Sequence, residues 1–184
     1  MLGERDQKGG KGMRIAILGY SGAGKSTLAA RLGERLSLPV LHLDSVHFAP
    51  GWVERPDAEA AAEVRGWMAR PDWIIEGNYI ALLRAERLAL ADRILLLELP
   101  RFACLGAALR RYRRYRGHTR PDMAPGCPEK FDAEFFWWLL YAGRTAARRA
   151  DFDAIARRYP DKVIRLRSRR AVNRLPAEVA GRLT

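Results

Sequence analysis

A segment of eight residues near the start of the chain restricts the fold more than any other feature of the sequence. Gly19–Ser26 has the sequence GYSGAGKS, which fits the spacing G-x-x-x-x-G-K-[ST] of phosphate-binding loops. The residues before it, Arg14–Leu18, form a short apolar run typical of a buried parallel strand, and Lys25–Leu36 after it has apolar residues at helical spacing. A strand that enters the loop and a helix that leaves it disfavour the alternative, an ordinary glycine-rich turn.

The residue types in this loop each suit a different part of a bound polyphosphate. Glycines allow successive backbone amides to point at phosphate oxygens, and the N-terminus of the following helix adds its partial positive charge. Lys25 is predicted to reach the β- and γ-phosphates, and the hydroxyl of Ser26 is predicted to ligate Mg²⁺. We therefore expect ATP and Mg²⁺ as cofactors, with nucleotide contacts from Gly19, Ser21, Gly22, Ala23, Gly24, Lys25, Ser26 and Thr27.

Strand and helix patterns alternate along the rest of the chain. Four further strands are predicted at Pro39–Leu43, Trp73–Ile75, Arg93–Leu99 and Lys162–Leu166. Helices are predicted at Pro56–Ala69, Ala81–Leu90, Phe102–Arg116, most of Phe131–Tyr159, and Arg170–Leu183. This order predicts an α/β structure, the three-layer P-loop kinase fold, with a five-stranded parallel sheet. The length of 184 residues suits one domain at 13–184 after a flexible polar leader at 1–12.

Composition excludes several classes of protein. A hydrophobic fraction of 48% with 29% charged residues is typical of a soluble globular chain rather than a disordered one. No apolar run approaches the length that crosses a bilayer, so no membrane association is predicted. The two cysteines, Cys104 and Cys127, cannot form a disulfide framework or a closely spaced zinc pair, and we predict a reducing, cytoplasmic location.

Two acidic residues follow predicted strands. Ligands of open parallel sheets bind beyond the carboxyl ends of the strands, where Asp44 and Glu76 are expected. Either carboxylate is suited to holding Mg²⁺ or to orienting an acceptor hydroxyl and taking its proton, and a helix-capping or turn role is the alternative for each. Asp44 is the preferred base or metal partner and Glu76 the alternative metal-binding acid, while Trp52, Asn78 and Tyr79 are candidates for an acceptor pocket.

The positive charge is concentrated in the second half of the chain. Net charge is +12, yet residues 1–100 are neutral, and 101–120 hold seven arginines and no acid. These arginines lead into a loop with three prolines and two glycines, Gly117–Lys130 (the lid loop), so an arginine-rich lid is predicted at about 110–131. Arg114 is predicted to be catalytic, and Arg110 and Arg116 to bind nucleotide phosphates.

Two further segments beyond the lid have alternative interpretations. Arg169, after the last strand, is predicted to lie against the adenine ring, and a capping turn with Ser168 as the cap is the alternative. The aromatic segment Phe135–Tyr141 is predicted to be core under the lid rather than a base-stacking platform.

Several of these segments together resemble one known family. The phosphate loop, Leu43–Asp44 with Pro50–Trp52, Trp73–Tyr79, Tyr115–Met123 and Gly126–Lys130 resemble the adenylate-kinase-related P-loop proteins called DNA topology modulation proteins. The likeness extends from about Met13 to Arg170. It implies a nucleoside-monophosphate-kinase-like fold, ATP binding, kinase chemistry and an influence on DNA supercoiling.

Two functional hypotheses from different classes follow. The first is an ATP-dependent phosphotransferase that transfers the γ-phosphoryl group to a small hydroxyl or phosphate acceptor with Mg²⁺. The second is a nucleic-acid-associated ATP-binding protein that affects DNA topology, with weak nucleic-acid binding through the basic blocks. The first is favoured because the arginines lead directly into the lid loop, as a catalytic clamp requires.

Overall fold

A computed structural model describes residues 12–181, so the predicted leader lies outside the described residues apart from Gly12. In chain order the elements are β1 (Arg14–Gly19), α1 (Lys25–Leu36), β2 (Val40–His42), α2 (Leu43–His47), β3 (Phe48–Ala49), β4 (Val53–Glu54), α3 (Asp57–Met68), β5 (Trp73–Glu76), α4 (Arg84–Leu90), β6 (Arg93–Leu97), α5 (Arg101–Tyr115), α6 (Ala133–Leu140), a 3₁₀ turn (Ala142–Arg144), α7 (Ala146–Arg158), β7 (Val163–Leu166) and α8 (Arg169–Gly181).

Five parallel strands form the central sheet in the order β2-β5-β1-β6-β7. The middle strand is almost wholly apolar because it is covered on both faces, and Ile15, Ala16, Ile17 and Leu18 are all essentially inaccessible to solvent. Its neighbours pair in register, with Ile15 opposite Ile74 of β5. The predicted α/β class and the five-stranded parallel sheet are therefore confirmed.

The strand order determines where a ligand can bind. After β1 the chain forms the edge strand β2 and leaves a gap of one strand position beside β1. It returns to fill this gap with β5, and then crosses to the other side of β1, where it forms β6. This reversal of direction opens a crevice at the carboxyl ends of β1 and β5, which is the usual ligand position in open parallel sheets. The phosphate loop follows β1 and Glu76 ends β5, so both lie at this edge.

The segment after β2 differs from the sequence prediction. The strand ends at His42 rather than Leu43, and a short helix, α2, follows it directly. Asp44 therefore lies in the first turn of a helix, where a carboxylate is favoured by the helix dipole, rather than in a strand-end loop. A small antiparallel hairpin, β3–β4, comes next and was also not predicted. Its turn has Gly51 at φ 81° and Trp52 at φ 66°.

The predicted long helix after the lid is divided. Asp132 caps α6 by accepting a hydrogen bond from the amide of Phe135, and Thr145 caps α7 in the same way from Arg148. The aromatic segment does not lie in the core as expected. Trp137 is 58% exposed, and Trp138 and Tyr141 are also exposed, because the buried face of α6 is formed by Leu139 and Leu140.

No helix among the described residues is both long and apolar enough to cross a membrane.

Candidate functional site

A cleft of about 1440 Å³ lies at the carboxyl edge of the sheet. It is bounded by the phosphate loop, the segment around Asp44, the end of β5 and the lid. The predicted site residues that line it are Ser21, Gly22, Gly24, Lys25, Ser26, Thr27, Asp44, Glu76, Arg110, Arg114 and Arg169. Gly19 and Ala23 lie beneath the loop surface, both buried, and Arg116 lies outside the lining.

The entry to the phosphate loop is held by close backbone packing. A Cβ atom on Gly19 would lie 2.4 Å from the carbonyl oxygen of Leu97, so only glycine fits there. The side chain of Asn78 makes two hydrogen bonds to the backbone of Gly19. Its Oδ1 accepts from the amide of Gly19 at 3.1 Å, and its Nδ2 donates to the Gly19 carbonyl at 2.8 Å. Asn78 was predicted as a candidate for the pocket of the phosphoryl acceptor. In the structure its two hydrogen bonds position the phosphate loop.

The exit of the loop presents unpaired amides to the cleft. Gly24, at φ 93°, precedes α1 and permits the sharp turn into the helix. The amide of Leu28 donates to Gly24, as in the first regular helical turn, and no side chain of the described residues caps this helix end. The amides of the first turn thus remain available to an anion, as a helix N-terminus allows.

One side chain of the loop and two from outside it make contacts with the loop. Nζ of Lys25 lies 3.5 Å from the carbonyl oxygen of Tyr20, a long contact that leaves the ammonium available to a stronger partner. Arg169 donates through one nitrogen to the Ala23 carbonyl at 3.0 Å, and its other terminal nitrogen is buried with no partner among residues 12–181. Trp138 donates from Nε1 to Oγ of Ser21 at 3.1 Å. The sequence carried no signal for the Trp138 contact.

Glu76 connects the phosphate loop to β2. Its Oε1 accepts from the hydroxyl of Ser26 at 3.0 Å and lies 3.0 Å from Nδ1 of His42. Glu76 is only 2% exposed. Burial alone would lower the pKa of His42, but the hydrogen bond and charge of Glu76, with Asp122 and Asp44 nearby, raise it above 6.5. His42 is therefore the partner that balances this buried carboxylate.

The oxygens of Ser26 and Glu76 suit Mg²⁺. A hydroxyl and a carboxylate are hard oxygen ligands, and they already meet beside the unpaired amides of the loop. No group of three or more His, Cys, Asp or Glu side chains that could enclose a metal occurs in the described part of the chain. The donor set therefore fits a cation that keeps water and phosphate ligands, as Mg²⁺ does, and not a fully protein-enclosed metal.

Asp44 is oriented by a half-buried tyrosine. The hydroxyl of Tyr79 donates to Oδ1 of Asp44 at 2.8 Å. Burial, and then the charge and hydrogen bond of Asp44, raise the pKa of Tyr79 far above its ordinary value, so this phenol remains a donor. The ring of His47 packs on Tyr79 with 4.4 Å between centroids. One carboxylate oxygen of Asp44 is thus held by the hydrogen bond from Tyr79, and Asp44 lines the cleft.

A buried arginine organises the loop that supplies both Asn78 and Tyr79. Arg87 is fully buried and donates to the carbonyls of Leu82 at 2.9 Å, Gly77 at 3.3 Å and Tyr79 at 2.7 Å. Burial, with the nearby charge of Arg84, lowers its pKa to about 10, so it remains charged at neutral pH. Nothing in the sequence distinguished Arg87 from the surface arginines around it.

The lid loop is tied to the chain by a buried carboxylate. Glu129 accepts from Nε of Arg111 at 2.7 Å through one oxygen and pairs with Nε of Arg120 at 2.6 Å through the other. A second nitrogen of Arg120 donates to Asp122 at 2.7 Å. Arg111 and Arg120, two arginines of the predicted lid, are therefore bound to acids of the lid itself.

The lid loop also packs on the hairpin β3–β4. The amide of Gly51 donates to the Gly126 carbonyl, and the thiol of Cys127 donates to the Ala49 carbonyl. The indole nitrogen of Trp52 donates to the Pro128 carbonyl at 3.2 Å. Met123, Ala124 and Cys127 form a small apolar cluster with Phe48 and Trp52, separate from the main core. The lid loop and the hairpin are therefore one packed unit.

The arginines of α5 divide between the cleft and the outside. Arg110, Arg111 and Arg114 line the cleft. Arg113 is exposed and lies outside the lining, and the guanidinium of Arg116 lies 6.0 Å from the ring centroid of Tyr112. Glu98, a third acid near a strand end, is bound by Arg165 at 2.6 Å and does not line the cleft.

Solved structures with this fold include a kinase. The chain is similar to shikimate kinase from Acinetobacter baumannii in complex with shikimate, with a TM-score of 0.56, 17% identity, and coverage of 91% of this chain and 90% of that one. It is also similar to an uncharacterized protein from Eubacterium ventriosum ATCC 27560, with a TM-score of 0.53, 13% identity, and coverage of 93% and 98%. Neither a protein-family model nor a curated protein matches the sequence. The chain therefore has the P-loop kinase fold.

Proposed function

We propose that this protein is an ATP-dependent phosphotransferase that transfers the γ-phosphoryl group of ATP to a small acceptor, with Mg²⁺. One observation carries the proposal. A single cleft joins the phosphate loop, the carboxylates Asp44 and Glu76, and the arginines of α5. Phosphoryl transfer requires these three kinds of group together, because it depends on positioning and on neutralising charge rather than on covalent chemistry of the protein.

In this proposal the loop amides and Lys25 hold the β- and γ-phosphates, and Arg110 and Arg114 neutralise charge that spreads over the transferred group. Arg169, with its buried unpaired nitrogen beside the loop, is the candidate for a further phosphate or adenine contact. Ser26 and Glu76 would hold Mg²⁺, which would neutralise negative charge on the phosphate oxygens. Arg116 has no part in this arrangement unless the lid moves.

Asp44 is the proposed base for a hydroxyl acceptor. Its free oxygen takes the proton of the hydroxyl while the acceptor oxygen bonds to the γ-phosphorus. The bond from that phosphorus to the bridging oxygen breaks, and its electron pair remains with ADP. The hydrogen bond from Tyr79 keeps the carboxylate in one orientation during this step.

The nature of the acceptor is a separate matter. The similar structure of shikimate kinase holds shikimate, and this supports a small-molecule acceptor as well as the nucleotide acceptor that the adenylate-kinase resemblance implies. The resemblance to DNA topology modulation proteins also suggests a role in DNA supercoiling. Arg110, Arg111 and Arg114 line the cleft, and this position favours the kinase over a nucleic-acid-binding role. Cys104 and Cys127 are free thiols, in keeping with the proposed cytoplasmic location.

Transfer of labelled phosphate from ATP tests this function. The protein is incubated with Mg·ATP and panels of nucleosides, nucleotides, sugars and hydroxy acids. Lys25→Ala should reduce transfer roughly a hundredfold because it removes a cation from the transferring group. Lys162→Ala is the matched control, since Lys162 contacts the Ala89 carbonyl and lies outside the cleft. Undiminished nucleotide affinity and turnover in Lys25→Ala would contradict the proposal.

A further inference from the structure

The part of the cleft around Asp44 has a different chemical character from the part around the phosphate loop. We call it the acceptor half, and its residues are Asp44, Phe48, Trp52, Glu54, Tyr79, Arg111, Arg120, Asp122, Glu129 and Lys130. It contains four carboxylates and three cationic groups, together with an aromatic wall. The carboxylates and the cationic groups differ in how many of their atoms are free to bind a ligand. This difference indicates which kind of ligand the acceptor half can bind.

The guanidinium group of Arg120 is fully occupied, and that of Arg111 is bound through one nitrogen. Arg120 has one nitrogen on Asp122, one on Glu129, and its third within 3.9 Å of the sulfur of Met123. Nε of Arg111 is bound to Glu129 at 2.7 Å. An anionic group of the acceptor would have to break a buried ion pair to reach Arg120. The free energy lost with that pair offsets much of the free energy gained from the new contact. Capture of a carboxylate or phosphate by Arg120 is therefore unfavourable.

Several carboxylate oxygens, by contrast, remain available. Asp44 is bound by Tyr79 through Oδ1 alone, and Asp122 is bound by Arg120 through Oδ2 alone, among the contacts that the described residues make. Glu54 is 72% exposed and is only loosely paired with His47 at 3.6 Å.

The aromatic wall already holds one ammonium group. Nζ of Lys130 lies 4.7 Å from the ring centroid of Trp52, within the range of a cation–π interaction. The ring is fixed in place, because its indole nitrogen donates to Pro128 and Phe48 packs edge-on against it at 5.3 Å. Lys130 itself is exposed on a flexible side chain, so its ammonium can leave this position at little cost.

We propose that the acceptor is a small hydroxylated amine or quaternary ammonium compound. Its cationic group replaces the ammonium of Lys130 on the face of Trp52, in the half of the cleft that also contains Asp122 and Glu54. Its hydroxyl reaches Asp44, gives up its proton there, and receives the γ-phosphoryl group while ADP departs. This inference rests on the proposed phosphotransferase function and specifies its substrate class.

A matched pair of probes tests the charge requirement. Choline and 3,3-dimethylbutan-1-ol have nearly the same shape and one hydroxyl each, but only choline is cationic. Affinity is measured by calorimetry on the protein saturated with Mg²⁺ and a non-hydrolysable ATP analogue. Choline should bind at least about threefold more tightly than the neutral alcohol. Equal affinity, or tighter binding of the neutral compound, overturns the inference.

Lys130→Gln separates a cationic acceptor from an anionic one by the sign of its effect. Removing the internal ammonium should tighten choline binding by about threefold, since the probe no longer competes for Trp52. A site for anions would instead lose affinity for 3-hydroxypropionate and gain none for choline. Arg113→Gln is the matched control, because it removes one positive charge from an exposed position outside the cleft. Weaker or unchanged choline binding in Lys130→Gln overturns the proposal.

Trp52→Leu provides a second line of evidence, and the nucleotide supplies the control for the whole series. The variant should lose the preference for choline, and circular dichroism shows whether it folds. If it does not fold, Lys130→Gln still decides the matter. Affinity for the ATP analogue is measured in the same samples. An intact nucleotide site without preference for choline refutes only the acceptor class, whereas failure of the unaltered protein to bind the nucleotide refutes the proposed function.

Discussion

Replacement of Asn78 by alanine should destabilise the phosphate loop and weaken nucleotide binding together. Asn78 makes two hydrogen bonds to the backbone of Gly19, and Gly19 is buried. Alanine leaves a buried amide and a buried carbonyl without these partners, and each unsatisfied group costs about 1–3 kcal/mol. Partial access of water from the half-buried position of Asn78 reduces the total, so a loss of about 2–3 kcal/mol is expected.

The loss should be visible in thermal unfolding. For a chain of this size, 1 kcal/mol corresponds to roughly 2–4 °C in Tm, so Asn78→Ala should melt about 5–10 °C below the unaltered protein. The Kd for Mg·ATP should rise about tenfold, because the free loop samples geometries that do not direct its amides at the phosphates.

The matched control is Asn173→Ala. Asn173 accepts a hydrogen bond from Arg31 at 3.3 Å on the exposed surface, so its removal should change stability by less than about 0.5 kcal/mol. A Tm for Asn78→Ala within a degree of the control, or an unchanged nucleotide Kd, would show that Asn78 does not hold the loop.

Three further predictions concern ionisable groups that are buried or half-buried. Glu129→Gln should lower the stability of the lid loop by about 3 kcal/mol, because it leaves Arg120 and Arg111 facing an uncharged side chain. Hydrogen exchange of the backbone amide of residue 129, which donates to the His118 carbonyl, measures this loss. Glu134→Gln is the control at an exposed position. Because the pKa of His42 is raised above 6.5, its contribution to stability is fully present below pH 6.5 and is lost as the pH rises through the folded-state pKa. The free energy of unfolding in urea should therefore depend less on pH in His42→Gln than in the unaltered protein over this pH range. Arg87→Met should cost about 3 kcal/mol in urea unfolding, since three carbonyls lose their donor, and an equally stable Arg87→Met protein would show that these bonds contribute little.

The sheet could be predicted from the sequence because its strands carry a local signal. A strand buried on both faces must be apolar throughout, so Ile15–Leu18 and Ile94–Leu97 were identifiable without their partners. The strand, turn and helix around Gly19–Ser26 were identifiable for a similar reason. The glycines of this segment are required locally, by the turn at Gly24 and by the approach of Leu97 to Gly19.

The missed features depend on contacts that are distant in sequence. Arg87 looked like one of many arginines, and only the fold brings three carbonyls around it. The contact from Trp138 to Ser21 spans 117 positions. The exposed side of α6 was misjudged because a run of aromatic residues has no strong periodicity, and tertiary packing alone determined which face was buried.

The lid loop and the hairpin show why acceptor recognition cannot be assigned to either segment alone. Each consists of tight turns with proline and glycine, and neither has enough apolar residues to form a core by itself. The two segments form one shared apolar cluster, in which Phe48 and Trp52 of the hairpin pack with Met123 and Cys127 of the lid loop. A change that loosens one segment must therefore loosen the other. Substitutions on either side of this cluster should consequently raise KM for the acceptor while the phosphate loop, held separately by Asn78, keeps its affinity for the nucleotide.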